Sequence, residues 1–230
     1  MTQTRREKLR DATREEILST AWKQIAEEGA SGLSLRGIAR EMGMTAPGLY
    51  RYYKDRDALV TVLLMDAFGS FADALETGRD ACAADDHAGR FREMGRAYFR
   101  WGSENPQKYA LLFGSPIHGY VFAEELVPVA QKSFFVLVGV IGAAFAAGKI
   151  NGEIPALKLP TSLKVQYDAL KKMGIPFSGG VIQLALSAWA QMHGITSLYL
   201  QNYLSGMLQD GVGAFVDFEI EKMIKIFGME

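Results

Sequence analysis

Ala39, Gly43 and Leu49 stand at the spacing that two short helices joined by a tight turn require. A small residue is needed where the helices cross, and Ala39 supplies it. The turn needs a residue tolerant of positive φ, which Gly43 provides. An apolar anchor must seat the second helix, and Leu49 sits six positions further on. Ile38 and Met44 complete a small core. This is the helix-turn-helix pattern, whose second helix can enter the major groove of DNA. Its chemistry is recognition of base edges and phosphates, with no bond made or broken.

The flanking block, Gly48 through Leu59, strengthens that reading. Tyr53, four residues from Leu49, belongs on the buried face; Tyr50 and Tyr52 cannot both share it, so at least one faces outward. Tyrosine hydroxyls, Lys54, Arg56 and the start of the next helix form an anion-binding edge suited to phosphates. Arg5, Arg6, Lys8 and Arg10 offer either a flexible basic arm for a neighbouring groove or a solvated tail.

Residues 10–60, followed by an all-α remainder, resemble a TetR/AcrR-type transcriptional regulator. The likeness rests on a capped first helix, the helix-turn-helix, the Leu-Tyr-x-Tyr-Tyr-Lys-x-Arg block and a fourth helix running into a large C-terminal body. The resemblance implies that the first three helices bind DNA and that the C-terminal body dimerises and holds a small ligand. It makes Arg36 the side chain that reads a base. Thr45, Ala46 and Pro47 lie at the groove edge, and with Gly48 they favour apolar contact with thymine methyls. Tyr50, Tyr52, Lys54 and Arg56 hold phosphates. Tyr98 to Gly114, with Trp189, His193 and Gly194, is similar to the branch whose C-terminal domain is named for a Trp-His-Gly pattern.

Aromatic residues and methionine further along offer walls for a ligand cavity between helices: Tyr98, Trp101, Tyr109, Phe113, Phe134, Trp189 and Met192, with His193 beside them. Each also reads as ordinary core, and His193 as a satisfied core histidine. Enzyme chemistry has little to stand on. No His-Glu-x-x-His, nucleophile elbow or phosphate-cradling glycine loop occurs, so no catalytic residue, cofactor or metal is expected. Glu124-Glu125 and Asp85-Asp86 are adjacent pairs whose carboxylates point to different sides.

Positioning these residues takes a run of helices broken by Gly and Pro, which makes the fold all-α. Thr13 and Glu16 form a capping box for the first helix, which Gly29 stops. Ser34 caps the second, from Leu35 to Met42; Thr45 caps the third, through Tyr52; Asp55 caps the fourth, towards Gly78. Further helices are expected from Phe91 to Asn105, from Pro106, from Pro128 to Gly148, from Ser162 to Met173, from Gly180 to Leu204 and from Asp210 to Phe227. Residues 149–161 read as an irregular connection. A DNA-binding domain over 1–56 and a ligand-binding and dimerisation domain over 57–230 follow.

Among the 230 residues the net charge is −1, so any polyanion must meet a local patch. Residues 1–60 hold eleven Lys and Arg against nine Asp and Glu, while residues 61–230 hold fourteen against seventeen, so the sign points to the N-terminal part. The single cysteine, Cys82, excludes an internal disulfide and suits a reducing cytoplasm. The N-terminus lacks an apolar stretch of signal-peptide type. The longest apolar run, Phe134 to Ala147, is shorter than the ~20 residues a membrane span needs, so it reads as a buried helix.

Apolar faces of the last two helices (Leu184, Leu186, Ile195, Leu198, Val212, Phe215, Val216, Ile220) exceed what one body needs. They point to a homodimer through a four-helix bundle. Two recognition helices then meet a palindromic operator, and a small apolar or aromatic effector in the cavity releases a repressor. The competing reading is a helical small-molecule-binding protein or enzyme in which the helix-turn-helix is only structural.

Overall fold

The computed structural model describes residues 4–150, 158–172 and 176–229. Helices are the regular elements of the described residues, with no strand among them. They pack as two units. The first takes residues 1–67 together with 106–127, and the second takes 68–105 with 128–230.

The first unit is built on α1 (Arg5–Gly32), α2 (Leu35–Glu41), α3 (Ala46–Tyr50), the start of α4 (Arg56–Asp80) and α6 (Pro106–Phe113). Helix α1 begins two turns before the expected cap. Thr4 and Glu7 form the capping box, and Thr13 instead donates its hydroxyl to the Leu9 carbonyl inside the helix. Arg5, Arg6, Lys8 and Arg10 are therefore helical residues and not a flexible arm. Gly29 breaks the helix at φ 74°, where the left-handed region is open to glycine. Helix α6 joins this unit through Lys108, whose ammonium pairs with Asp66 at 2.9 Å and lies 5.5 Å from the centre of the Trp22 ring. Tyr120, in the segment after α6, shares a 2.9 Å hydrogen bond with the Thr61 hydroxyl.

The second unit packs α5 (His87–Glu104) against α9 (Gly179–Leu200) and α11 (Val212–Phe227), with α7 (Val127–Ala146) and the rest of α4 beside them. A Cβ on Gly78 would meet the Glu93 carbonyl at 2.7 Å, so α4 and α5 approach as closely as glycine allows. Helix α8 (Thr161–Lys172) lies on α9, with the buried Tyr167 donating to Gln183 at 2.7 Å. Residues 151–157, which hold most of the expected irregular connection, lie outside the described residues.

Two expectations about this unit change. The run from Gly180 to Leu204 is not one helix: Asn202 takes φ 63°, which asparagine tolerates, and α10 (Tyr203–Leu208) starts afresh. The apolar helix around Phe134 stands where it was expected, as α7, but it is not a buried one. With the preceding turn it covers Glu124–Ala146, enough by length and composition to cross a membrane, and only 33% of its most apolar stretch is buried. Helix α4 passes the same test with 56% buried.

An acid–base cluster ties the end of α4 to α5. Arg79 donates to Asp80 at 2.8 and 2.7 Å, and Arg90 adds a third hydrogen bond at 3.0 Å. The Arg79 hydrogen bonds, helped by Arg90, hold the Asp80 carboxyl down at about 2. A lowered carboxylate pKa contributes stability above the unfolded value of ~3.9 and loses it as pH falls through the folded one. The Asp80 carboxyl carbon is expected to titrate near pH 2 by NMR. A midpoint near 4 would show that the cluster does not hold in solution.

Candidate functional site

The recognition motif is assembled from local hydrogen bonds. Gln24 of α1 accepts from the Ser34 backbone N–H at 2.8 Å, and the Ser34 hydroxyl accepts from the Gly37 N–H at 3.3 Å, which fixes where α2 starts. Gly43 takes φ 64° in the turn, and the next N–H, of Met44, returns to the Ala39 carbonyl at 2.8 Å. The Thr45 hydroxyl then caps α3 by accepting from the Gly48 N–H at 3.2 Å. Ile38 and Leu49 are fully buried, and Ala39 nearly so, with Ile17 and Ala21 of α1. The motif's core is the one its spacing implies except for Met44, which is half-exposed.

Its outer surface is open. Arg36, Thr45, Pro47, Tyr50 and Lys54 are exposed, and Ala46 and Tyr52 half-exposed. Tyr53 is buried, and burial pushes its hydroxyl pKa up. Gly48 is buried, so it presents nothing to a groove. Lys54 makes only a 3.9 Å contact with Asp55 and stays solvated.

Arg56 departs from the expectation. Its Nε donates to the Leu33 carbonyl at 3.1 Å and its Nη2 to the Ala30 carbonyl at 2.9 Å. The end of α1 at Gly32 leaves its last carbonyls short of helical donors, and Arg56 donates to two carbonyls there, that of Ala30 also accepting from the Leu33 N–H at 3.4 Å. It is committed to holding α1 against α4, which leaves Lys54 as the solvated cation of that pair. Arg40 in the last turn of α2 and Arg51 at the end of α3 are exposed cations that the sequence reading passed over. Their flanking of the Gly43 turn was the available signal.

The second unit contains a cavity of about 470 Å³, counting its open mouth. Phe71 and Leu75 come from α4; Phe91, Met94, Gly95 and Tyr98 from α5; Ser133, Phe134 and Leu137 from α7; Ala188, Trp189 and Met192 from α9; Met223 from α11. None of these side chains is charged. The Ser133 hydroxyl donates to the Ala130 carbonyl at 3.4 Å. Phe134 and Trp189 lie with ring centres 5.7 Å apart, and Phe71 meets Tyr98 edge-on at 5.0 Å. Beside this wall, Arg92 pairs with Glu221, and Arg96 with Asp217 at 2.8 Å, clasping α5 to α11.

Of the expected lining residues, Tyr98, Phe134, Trp189 and Met192 are in the wall. Trp101 packs behind it, 4.8 Å from Phe71. Tyr109 and Phe113 stack on each other at 4.9 Å in the first unit, because Pro106 opens a helix that packs on α1. His193 is outside the wall, and burial lowers its pKa. Helix α4 residues were missed because their spacing reads as plain core. Among the described residues no group of side chains has metal-ligand geometry.

An exposed surface on a helix-turn-helix, with an uncharged cavity in an all-helical body, is the architecture of a DNA-binding regulator. Residues 17–63 match the family model for bacterial regulatory proteins of the tetR family, and residues 91–223 that for the tetracyclin repressor-like C-terminal domain. HTH-type transcriptional regulator Rv1816 of Mycobacterium tuberculosis is 33% identical over 211 residues, 90% of this chain and 88% of that protein. The solved structure of SCO4313 is 34% identical, covers 96% of this chain and 100% of its own, and superposes with a TM-score of 0.79. FadR from Bacillus subtilis, solved in complex with stearoyl-CoA, shares the fold at TM-score 0.65 and 13% identity, with 94% and 100% of the two chains covered. The chain belongs to the TetR family of transcriptional regulators. It is a regulator and not an enzyme, which removes the reading of the helix-turn-helix as mere packing.

Proposed function

We propose that the protein is a homodimeric repressor that leaves a palindromic operator when a small, uncharged, apolar or aromatic effector enters the cavity of its second unit. The observation that carries this reading is the cavity wall, which is aromatic and methionine-rich and has no charged side chain. A carboxylate or phosphate buried there has no cation to offset its lost hydration. Helix α4 supplies Phe71 and Leu75 to that wall, and its earlier residues Leu59 and Leu63 are buried in the unit that carries α3. Effector binding acts through α4 on the spacing of the two recognition helices, which must meet successive major grooves ~34–36 Å apart. A coupling of ~1–3 kcal/mol shifts operator affinity ~5–150-fold.

The dimer face is redrawn by burial. Leu184, Ile195, Val212, Val216 and Ile220 lie in the chain's own core, whereas Leu198 and Phe218 remain open, at 44% and 66%. These exposed apolar side chains of α9 and α11 support pairing through the last helices. The cytoplasm is the compartment where such a regulator meets DNA.

Sequencing the genomic fragments that the purified protein retains, then titrating neutral aromatic compounds against the complex, tests the proposal. Retention of a palindromic fragment and its release by such a compound is the expected result. Retention of no fragment above background, a strictly monomeric protein, or release only by acids overturns it. On the recovered operator, Arg36→Ala is expected to cost ~1–3 kcal/mol and to relax base preference at one position per half-site. Selection of sites by the variant from a randomised pool checks this.

A further inference from the structure

The first half of α1 extends past the body of its domain. Ile17 is the first buried residue, and nearly every residue from Thr4 to Glu16 is exposed. The overhang spans roughly 18 Å of helix at ~1.5 Å per residue. It has a defined beginning: the Thr4 N–H donates to the Glu7 carboxylate at 2.7 Å, and the Glu7 N–H donates to the Thr4 hydroxyl at 3.3 Å. An isolated helix of this length is marginal in water. Here it continues a helix whose later turns are anchored by Ile17, Ala21 and Ile25.

Two rows of charge run along the overhang. Arg6, Arg10 and Arg14 recur every four residues and form one row, and Ile17 and Ala21 carry the same face into the domain. Glu7, Asp11 and Glu15 form the adjoining row, ~100° round the helix. The buried face of α1 packs on α2, which belongs to the recognition motif, and on α6. Arg14 acts on the Tyr53 hydroxyl, lowering a pKa that burial raises, which puts the end of the row near the residues that follow α3. Three of the five cations from Arg5 to Arg14 stand on the face where the apolar stripe runs out, while Arg5 and Lys8 lie on others.

We propose that Arg6, Arg10 and Arg14 form a second DNA contact, a phosphate clamp on the duplex flanking the base pairs read by α3. The inference rests on α3 entering the major groove and adds a contact beyond the helix-turn-helix. The row complements the polyanion in charge and continues the exposed cationic surface of Arg36, Arg40, Arg51 and Lys54. Phosphate contacts carry no sequence information, so the clamp acts on specific and non-specific DNA alike.

The full chain, titrated by fluorescence anisotropy against a mixed-sequence duplex of about 40 bp between about 50 and 200 mM NaCl, provides the test, because each neutralised phosphate adds ~0.9 to the log–log salt slope. Arg6→Gln with Arg10→Gln is compared with Arg5→Gln and Lys8→Gln, which remove the same charge from other faces. The first pair is expected to make the slope shallower by nearly 2 per bound protomer, and Arg6→Lys with Arg10→Lys to restore it. The second pair is expected to leave it close to that of the parent. Equal slopes for the parent and the first pair, or equal losses in both pairs, overturn the clamp while leaving the groove reading in place. A parent protein that shows no salt-dependent binding overturns both. Glutamine keeps the helix, and unchanged far-UV circular dichroism verifies it.

Discussion

A Leu49→Ala variant is expected to lose DNA binding while the second unit still takes up ligand. Leu49 is fully buried on the inner face of α3, the helix that packs on α2. Truncating a buried leucine costs ~2–5 kcal/mol, through lost transfer free energy and the void left behind. Helix α3 runs only from Ala46 to Tyr50, too short to hold its shape once the anchor goes. In a unit of this size each kcal/mol moves the unfolding midpoint by ~4–8 °C. Calorimetry should show a low-temperature transition displaced downward, and anisotropy should show operator affinity lost with it. An unchanged midpoint, with binding intact, would mean that α3 is seated by something other than this core.

An Ala188→Phe variant is expected to do the reverse, abolishing effector response and sparing DNA binding. Ala188 is 2% exposed on α9 and lines the cavity. A phenyl ring there projects into the cavity, whose space of about 470 Å³ includes its open mouth. Because it fills a void, it avoids much of the ~1–3 kcal/mol that overpacking a filled core costs. Uptake of a neutral aromatic dye such as Nile red should weaken by at least about 100-fold, or ~2.7 kcal/mol. Operator affinity without ligand should stay within about 3-fold. Equal dye binding by variant and parent would remove the cavity as the effector site.

What was legible in the sequence is what local chemistry decides. The stop at Gly29, the caps at Ser34, Thr45 and Asp55, and the left-handed turn at Gly43 depend on residues within a few positions of one another, and the structure has them all. The start of α1 misled because Thr13 and Glu16 satisfy the same capping pattern as Thr4 and Glu7. A pattern reading begins a helix at its first apolar residue. An exposed extension of an anchored helix needs no apolar residue, and nothing from Arg5 to Ala12 breaks it.

Non-local partners were not legible. Arg56 reads as a free cation in a basic block, and only the folded chain brings it to the carbonyls of Ala30 and Leu33, more than twenty residues upstream. The cavity was half legible for the same reason. Aromatic content marks a candidate, but whether Tyr109 or Phe71 faces the space depends on which helix Pro106 starts and where that helix packs. On the last helices, the apolar residues chosen for a dimer face were mostly those the chain buries itself. Periodicity gives the face of a helix but not the identity of the neighbour that covers it.

Methylation protection of guanine N7 on the recovered operator tests the account most directly, because N7 lies in the major groove. Two protected clusters are predicted, one in each half-site and one helical turn or a whole number of turns apart, with one guanine per cluster deprotected by Arg36→Ala. Protection confined to adenine N3 in the minor groove, or a pattern that Arg36→Ala leaves untouched, would contradict the placement of α3 against the bases.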